Sequence, residues 1–193
     1  MKITLQKLVY LLAFVTFTLA AKAQDSAVPD TLRLSIGIDG SYPQSSFANS
    51  YTFGVGGSLQ LDLPINTKLY ATANAGYSVF SPNNNGSNPE AIVGVNLSAM
   101  SVAPVKIGLK YFLIRTFYLQ AEGGETLLLN KSAVYGLNGN GLTYAGQMGI
   151  LFKLNKNRRY IDGGIRYERQ QSFYGDGHYN TFLGFRVAYA FNL

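Results

Sequence analysis

The chain closes on Leu183-Gly-Phe-Arg-Val-Ala-Tyr-Ala-Phe-Asn-Leu193, a stretch that alternates with period two up to its last residue. Side chains of an extended strand point in turn to opposite sides. Leu183, Phe185, Val187, Tyr189, Phe191 and Leu193 therefore share one face, and Gly184, Arg186, Ala188, Ala190 and Asn192 share the other. One face is bulky and apolar, while the other is small or charged. Soluble domains usually end in a frayed polar tail. An apolar strand face that runs to the carboxyl terminus narrows the architectures open to this sequence.

The same alternation recurs upstream. Leu32, Leu34, Ile36 and Ile38 alternate with Arg33, Ser35, Gly37 and Asp39. Tyr51, Phe53, Val55, Leu59, Leu61 and Leu63 follow, and then a weaker, alanine-bearing run over residues 69–79. Val93, Val95 and Leu97 lead in phase to Val105, Ile107, Leu109 and Tyr111, after which come Phe117, Leu119, Ala121, Leu127 and Leu129. Leu142, Tyr144, Met148, Ile150, Phe152 and Leu154 make another run, and Ile161, Ile165 and Tyr167 the last before the closing strand. Helical periodicity is absent throughout. Pro104 lies within the fourth pattern and has no N–H to give a ladder, so a bulge or kink is expected within residues 98–104.

These patterns predict eight strands. Tight turns are expected near Asn66, Arg115 and Asn157, and longer loops rich in Gly, Asn and Ser at residues 40–50, 81–90, 130–141 and 174–178. Short turns at one rim and long loops at the other are the plan of an outer-membrane barrel. The expected fold is an all-β, eight-stranded antiparallel up-and-down transmembrane β-barrel with both termini on the short-turn side. Each strand exceeds the roughly 9–11 residues that cross a bilayer when tilted.

Composition bounds the rest. The chain has 193 residues and no Cys, which removes disulfides, thiolate catalysis, cysteine zinc sites and lipoprotein acylation together. Residues 1–23 read as a signal peptide: Lys2 and Lys7 supply the basic start, residues 8–20 the apolar stretch, and Ala21-Lys22-Ala23 the small-x-small cleavage pattern. That apolar run is shorter than the ~20 residues of a spanning helix. Residues 24–30 are then a short periplasmic segment and 31–193 the barrel. Loss of Lys2, Lys7 and Lys22 lowers the net charge to +6 − 3 = +3. With no clustered basic face, a nucleic-acid partner is not expected.

Alternation alone does not say which face is outside, because a lipocalin-type soluble barrel has the same period with the faces exchanged. The charges within the strands are few and share their face with glycines. Aromatic residues gather at both ends of the apolar face: Tyr111, Phe117, Phe152, Tyr189 and Phe191 towards the short turns, and Tyr51, Phe53, Tyr77, Tyr144, Tyr167 and Tyr179 towards the long loops. Two such girdles belong at headgroup depth. The apolar face is therefore read as facing lipid.

That choice turns Arg33, Asp39, Gln60, Asp62, Lys106, Lys110, Gln120, Glu122, Gln147, Lys153, Asp162, Arg166, Glu168 and Arg186 inward. Charges in a narrow, water-poor lumen must pair. The expected interior polar network is Lys106, Lys110, Glu122, Asp162, Arg166, Glu168 and Arg186. Hairpin geometry sets Lys106 opposite or diagonal to Glu122 and Arg166 beside Arg186. The network reads as a salt-bridged plug that fixes strand register, with a proton or ion path as the alternative. Eight strands make a barrel just wide enough for its own side chains to fill, so open diffusion of nutrients is not expected.

Candidate chemistry is sparse. The single histidine, His178, lies in the last long loop near Ser172, Asp176 and Tyr179, where a Ser/His/Asp set would suit a lipid-modifying hydrolase. His178 is the one catalytic candidate. The segment His178-Tyr-Asn-Thr faintly resembles the histidine-x-serine motif of outer-membrane lipid A deacylases, although Asn180 stands where that motif carries its nucleophilic serine. Gly54-x-Gly56-Gly57 lies inside a strand pattern and reads as room for neighbouring side chains, not as a phosphate loop. No metal and no cofactor is expected. Lys68, Arg115, Lys156, Arg158 and Arg159 gather at the short turns, where inner-leaflet phosphates would lie.

The hairpin Ala103-Pro-Val-Lys-Ile-Gly-Leu-Lys-Tyr-Phe-Leu-Ile-Arg-Thr-Phe-Tyr-Leu-Gln-Ala-Glu-Gly-Gly124 resembles the central hairpin of small bacterial outer-membrane β-barrel domain proteins, the OmpA/OmpX-like and PorT-like group. There a Pro-Val-x-x-Gly-x-Lys-Tyr strand runs through a short turn into Tyr-Leu-x-Ala-x-x-Gly. The resemblance implies an integral place in the bacterial outer membrane, lipid as surroundings, and insertion by the barrel-assembly machinery through the C-terminal strand. It implies no shared active site, and it does not extend to the peptidoglycan-binding domain of two-domain members. Barrels of this type most often end on an aromatic residue, whereas Phe191 here lies two places before Leu193. The expected role is structural, in envelope integrity, or interactive, with an unidentified surface ligand at the extracellular loops. A lipid-modifying hydrolase using His178 and a narrow gated pore are the alternatives.

Overall fold

The computed structural model describes residues 32–84, 98–132, 138–155, 159–174 and 177–193. They form β1 (Arg33–Gln44), β2 (Tyr51–Pro64), β3 (Leu69–Pro82), β4 (Met100–Phe112), β5 (Phe117–Leu128), β6 (Asn140–Asn155), β7 (Arg159–Gln171) and β8 (Tyr179–Asn192), with one helical turn, α1 (Phe47–Ser50), between β1 and β2. The strands close into a barrel in sequence order, each antiparallel to its neighbours. β8 pairs with β1 from Arg33↔Asn192 to Gln44↔Thr181, and the Leu193 N–H donates to the Leu32 carbonyl at 2.8 Å. The alternation at the carboxyl terminus is thus the seam of the barrel, and closure leaves no edge strand exposed.

Strand lengths of 12 to 16 residues exceed what hydrocarbon requires. The faces are assigned without ambiguity: Ile38 is 72% exposed, while the next residue, Asp39, is 3% exposed. Apolar side chains cover the outside and charged ones fill the inside, which removes the soluble alternative. At the short-turn rim Asn66 Oδ1 accepts from the N–H groups of Lys68 and Leu69, both at 2.9 Å, a side-chain closure typical of Asn in turns.

Several expectations need correction. Tyr51 does not join the outer girdle. The β2–β3 register shifts between Tyr51 and Phe53, so Tyr51 turns into the lumen, 1% exposed, while Phe53 stays outside. Pro104 needs no bulge either. β4 passes through it without a register shift, opposite Thr126 of β5, and the ladder to β3 lapses between Ala75↔Val105 and Ser78↔Val102, where Pro104 has no N–H to offer. A second irregularity falls at Lys153/Asn155 of β6. Lys153 keeps the inward phase, but its side chain is exposed at the short-turn end.

Residues 40–50 are not a long free loop. β1 continues through Gln44, Ser45 reverses the chain with a left-handed backbone (φ 53°), and α1 folds back so that Phe47 is buried. Val93, Val95, Leu97, Lys156, Asn157, Arg158 and Asp176 lie outside the described residues, as do the signal and the N-terminal segment.

Candidate functional site

The lumen is where the sequence concentrates its chemistry, because each strand delivers every second side chain there. Among the described residues, the buried charges are five cations (Arg33, Lys106, Lys110, Arg166, Arg186) and five carboxylates (Asp39, Asp62, Glu122, Asp162, Glu168). Their formal sum is 5 − 5 = 0. Small residues make room for them. A Cβ at Gly37 of β1 would lie 3.1 Å from Arg186 Nε, and one at Gly149 of β6 would collide with the Tyr118 hydroxyl.

The ion pairs both follow the ladder and cross the lumen. Arg33–Asp62, Lys106–Glu122 and Arg186–Asp162 join neighbouring strands, Arg166–Glu168 lies within β7, and the other four join strands that are not neighbours. Lys106 of β4 meets Glu168 of β7 at 2.6 Å and Glu122 of β5 at 3.8 Å. Lys110 meets Asp62 of β2 at 2.8 Å and Asp162 of β7 at 3.4 Å, while Arg33 reaches the same Asp62 at 3.7 Å. Arg166 lies 3.2 Å from Asp39 of β1 and 3.1 Å from Glu168. Arg186 links the two halves: its Nε and Nη2 donate to Ser58 and Ser35 at 3.1 and 3.0 Å, and Nη1 lies 3.7 Å from Asp162. Ser58 donates onward to Asp39 at 2.5 Å. Neutral groups complete the middle layer. The Tyr118 hydroxyl donates to Asp162 at 2.6 Å and accepts from Gln147 at 2.7 Å. The Gln60 and Gln120 amides exchange hydrogen bonds at 3.3 Å.

Apolar layers close both ends. At the long-loop end Phe47, Tyr51, Phe80, Met100, Val102, Leu128, Phe173 and Phe182 form one buried cluster. Phe80 lies edge-on to Phe47 and Phe182, with ring centroids 5.2 and 5.4 Å away. At the short-turn end Tyr70, Phe112, Tyr118 and Leu151 cluster with Tyr160 against them. The Arg33 guanidinium lies over Tyr160 at 4.9 Å and over Tyr70 at 5.5 Å. Between the upper layer and the charges remains a cavity of about 20 Å³, lined in part by Ser41, Thr126, Arg166 and Gln170. That is the scale of a single water molecule.

All seven residues expected in the network point into this lumen and are buried. Lys106 and Glu122 are diagonal neighbours across the β4–β5 ladder, where Lys106 faces Gly124 and Glu122 faces Gly108. Arg166 and Arg186 are diagonal as well, each opposite a glycine. Sequence reasoning placed Arg33, Asp39 and Asp62 inside but did not assign their partners, and it missed the apolar layers. The signal for those layers was present: Met100 and Val102 share the phase of Lys106, and Phe182 shares that of Arg186. His178 is exposed at the long-loop rim. Its carbonyl accepts from the Ser172 N–H at 3.0 Å, while the Ser172 hydroxyl is buried and accepts from the Tyr174 N–H at 3.2 Å. The structure therefore joins Ser172 and His178 through backbone.

No protein-family model matches the chain, and no curated protein matches it. Solved structures do resemble it. The outer membrane protein AlkL, determined in lipid bilayers, superposes with a TM-score of 0.52 at 10% identity, covering 88% of this chain and 93% of that one. Neisserial surface protein A gives 0.52 at 11% identity, covering 82% and 94%. The Yersinia pestis outer membrane protein Ail, in a phospholipid bilayer nanodisc, gives 0.51 at 15% identity, covering 82% and 99%. At such identities the likeness is one of fold. The chain shares the small outer-membrane barrel architecture, and its apolar exterior and charged interior make it an integral barrel of the bacterial outer membrane.

Proposed function

We propose that this barrel is a sealed structural element of the outer membrane that presents an interaction surface at its long-loop rim, and that it does not conduct. One observation carries the reading: a charge-neutral, ion-paired layer is closed off by aromatic and aliphatic side chains at both ends. A pore needs a continuous hydrated path, and an ion-selective one keeps unpaired charge of one sign along it. Neither feature is present among the described residues. The long-loop rim, by contrast, is where outer-membrane barrels vary and make surface contacts, and the surface role in the name of Neisserial surface protein A accords with it. In this reading residues 1–23 direct export, and β8 with its terminal Phe191-Asn-Leu193 serves the barrel-assembly machinery.

Planar-bilayer recording of the purified, heat-modifiable barrel tests the proposal. The expected trace shows no stepwise current in molar KCl. Reproducible single-channel steps that disappear when the protein is heat-unfolded would overturn it in favour of a pore.

A further inference from the structure

Arg169 is a cation on the wrong side of the wall. It shares the outward phase of β7 with Ile165 and Tyr167, and it precedes the long-loop end of that strand by two residues. Its guanidinium carbon lies 4.6 Å from the Tyr179 ring centroid and 5.9 Å from that of Tyr144. Those two rings meet edge-on, 6.2 Å apart. Thr181, its partner on β8, is covered to 8% exposure. Every buried cation of the lumen has a carboxylate within 4 Å, but Arg169 makes no ion pair among the described residues. Its Nε–H is enclosed and has no acceptor among the described residues. Glu125, two strands away, takes a hydrogen bond from Asn140.

We propose that Arg169, Tyr144 and Tyr179 form a binding site for the phosphate group of an outer-leaflet lipid. The tyrosine girdle sits at headgroup depth, where lipid phosphates supply the counter-charge that Arg169 lacks among the described residues. A guanidinium offers a planar fork that matches two phosphate oxygens. The rings hold that fork in place by cation–π contact without neutralising its charge. An acyl chain has its own place below: Ile165 and Phe185, paired across β7 and β8, are 48% and 47% exposed on the same face. That apolar track favours a lipid over free phosphate.

The test uses the folded barrel in dodecylmaltoside micelles. Proton–nitrogen spectra follow the Arg169 Nε–H as dioctanoyl phosphatidate is added, and titration calorimetry gives the affinity. A saturable shift is expected with phosphatidate, but not with dioctanoylglycerol or with inorganic phosphate at equal concentration. R169Q should bind about tenfold more weakly or worse, the scale of a lost charge-assisted pair. R169K keeps the charge without the fork, and Y179L keeps the charge without its platform; both should bind several-fold more weakly at unchanged heat-modifiable mobility. Equal shifts with dioctanoylglycerol, equal competition by inorganic phosphate, or unchanged affinity in R169Q and R169K would each overturn the assignment.

Discussion

Lys106 gives the sharpest test of the lumen, because it is 1% exposed and held between two carboxylates, Glu168 at 2.6 Å and Glu122 at 3.8 Å. Lys106→Met keeps most of the side-chain volume and removes only the charge. The lumen then holds four cations against five carboxylates, 4 − 5 = −1, and Glu168 retains only Arg166 as a charged partner. Breaking one side of a buried pair typically costs about 3–5 kcal/mol. Glu168→Gln unbalances the lumen the other way, 5 − 4 = +1, with a cost of the same order. The double change restores 4 − 4 = 0, so the two losses should not add. A coupling of about 2–3 kcal/mol is expected, the upper range for residues in one ion-pair network.

Reversible guanidinium unfolding in detergent micelles, read alongside the heat-dependent gel shift, measures all four proteins. Additive costs in the double variant would show that the pair is not coupled. A single-variant loss below about 1 kcal/mol, the worth of an exposed pair, would show that water reaches this layer. Either result refutes the sealed, neutral lumen.

Further outcomes follow from the same structure. The chain has no cysteine, so spin labels can be placed singly at Val187→Cys and Ile107→Cys; both sites are more than half exposed. Their relaxation should be faster with dissolved oxygen than with a water-soluble nickel chelate, and the reverse order would mean a soluble barrel. Gly149→Val should destabilise the barrel by about 1–3 kcal/mol through overpacking, since its Cβ would push the Tyr118 hydroxyl off Asp162. Gly163→Val, where a Cβ meets nothing within 4 Å, should leave the unfolding midpoint unchanged.

The grouping of side chains by face was legible because it depends only on local alternation: Leu183, Phe185, Val187 and Tyr189 need no partner to declare that they share a side. Which side is outer came from the sparse strand charges and the two aromatic girdles. The Lys106–Glu122 diagonal was legible for a related reason: one tight turn at residues 113–116 sets the β4–β5 register. Contacts across the lumen were not. Lys106 to Glu168 joins residues 62 apart in sequence, and Arg166 to Asp39 joins residues 127 apart. Those distances depend on how the closed sheet staggers, which no single hairpin reports. Tyr51 was misread because a bulge changes the phase, and a bulge leaves no composition signal at Tyr51-Thr-Phe53. The apolar caps were overlooked for a different reason. Phe80, Met100 and Phe182 occupy inward phase, but an apolar side chain looks outward to any rule that equates apolar with lipid.

The layering also bears on why a membrane barrel keeps the ten buried charges found among the described residues, which apolar side chains of similar volume could replace. A period-two strand can slip by one residue and exchange its faces. If β4 slipped, Lys106 and Lys110 would face hydrocarbon, at about 2–4 kcal/mol each near the midplane. Glu168 and Asp162 would at once lose their contacts at 2.6 and 3.4 Å, and each orphaned charge would cost several kcal/mol more. The sum rivals the whole stability of a domain, about 5–15 kcal/mol. An all-apolar interior would carry no such penalty, since either face would then suit lipid. The caps serve the same end. By keeping water from the ion pairs they hold the local dielectric low, where an unpaired charge is most costly. In the proposed reading of a sealed lumen, the charges act mainly against wrong registers, and the sealing gives that discrimination its size.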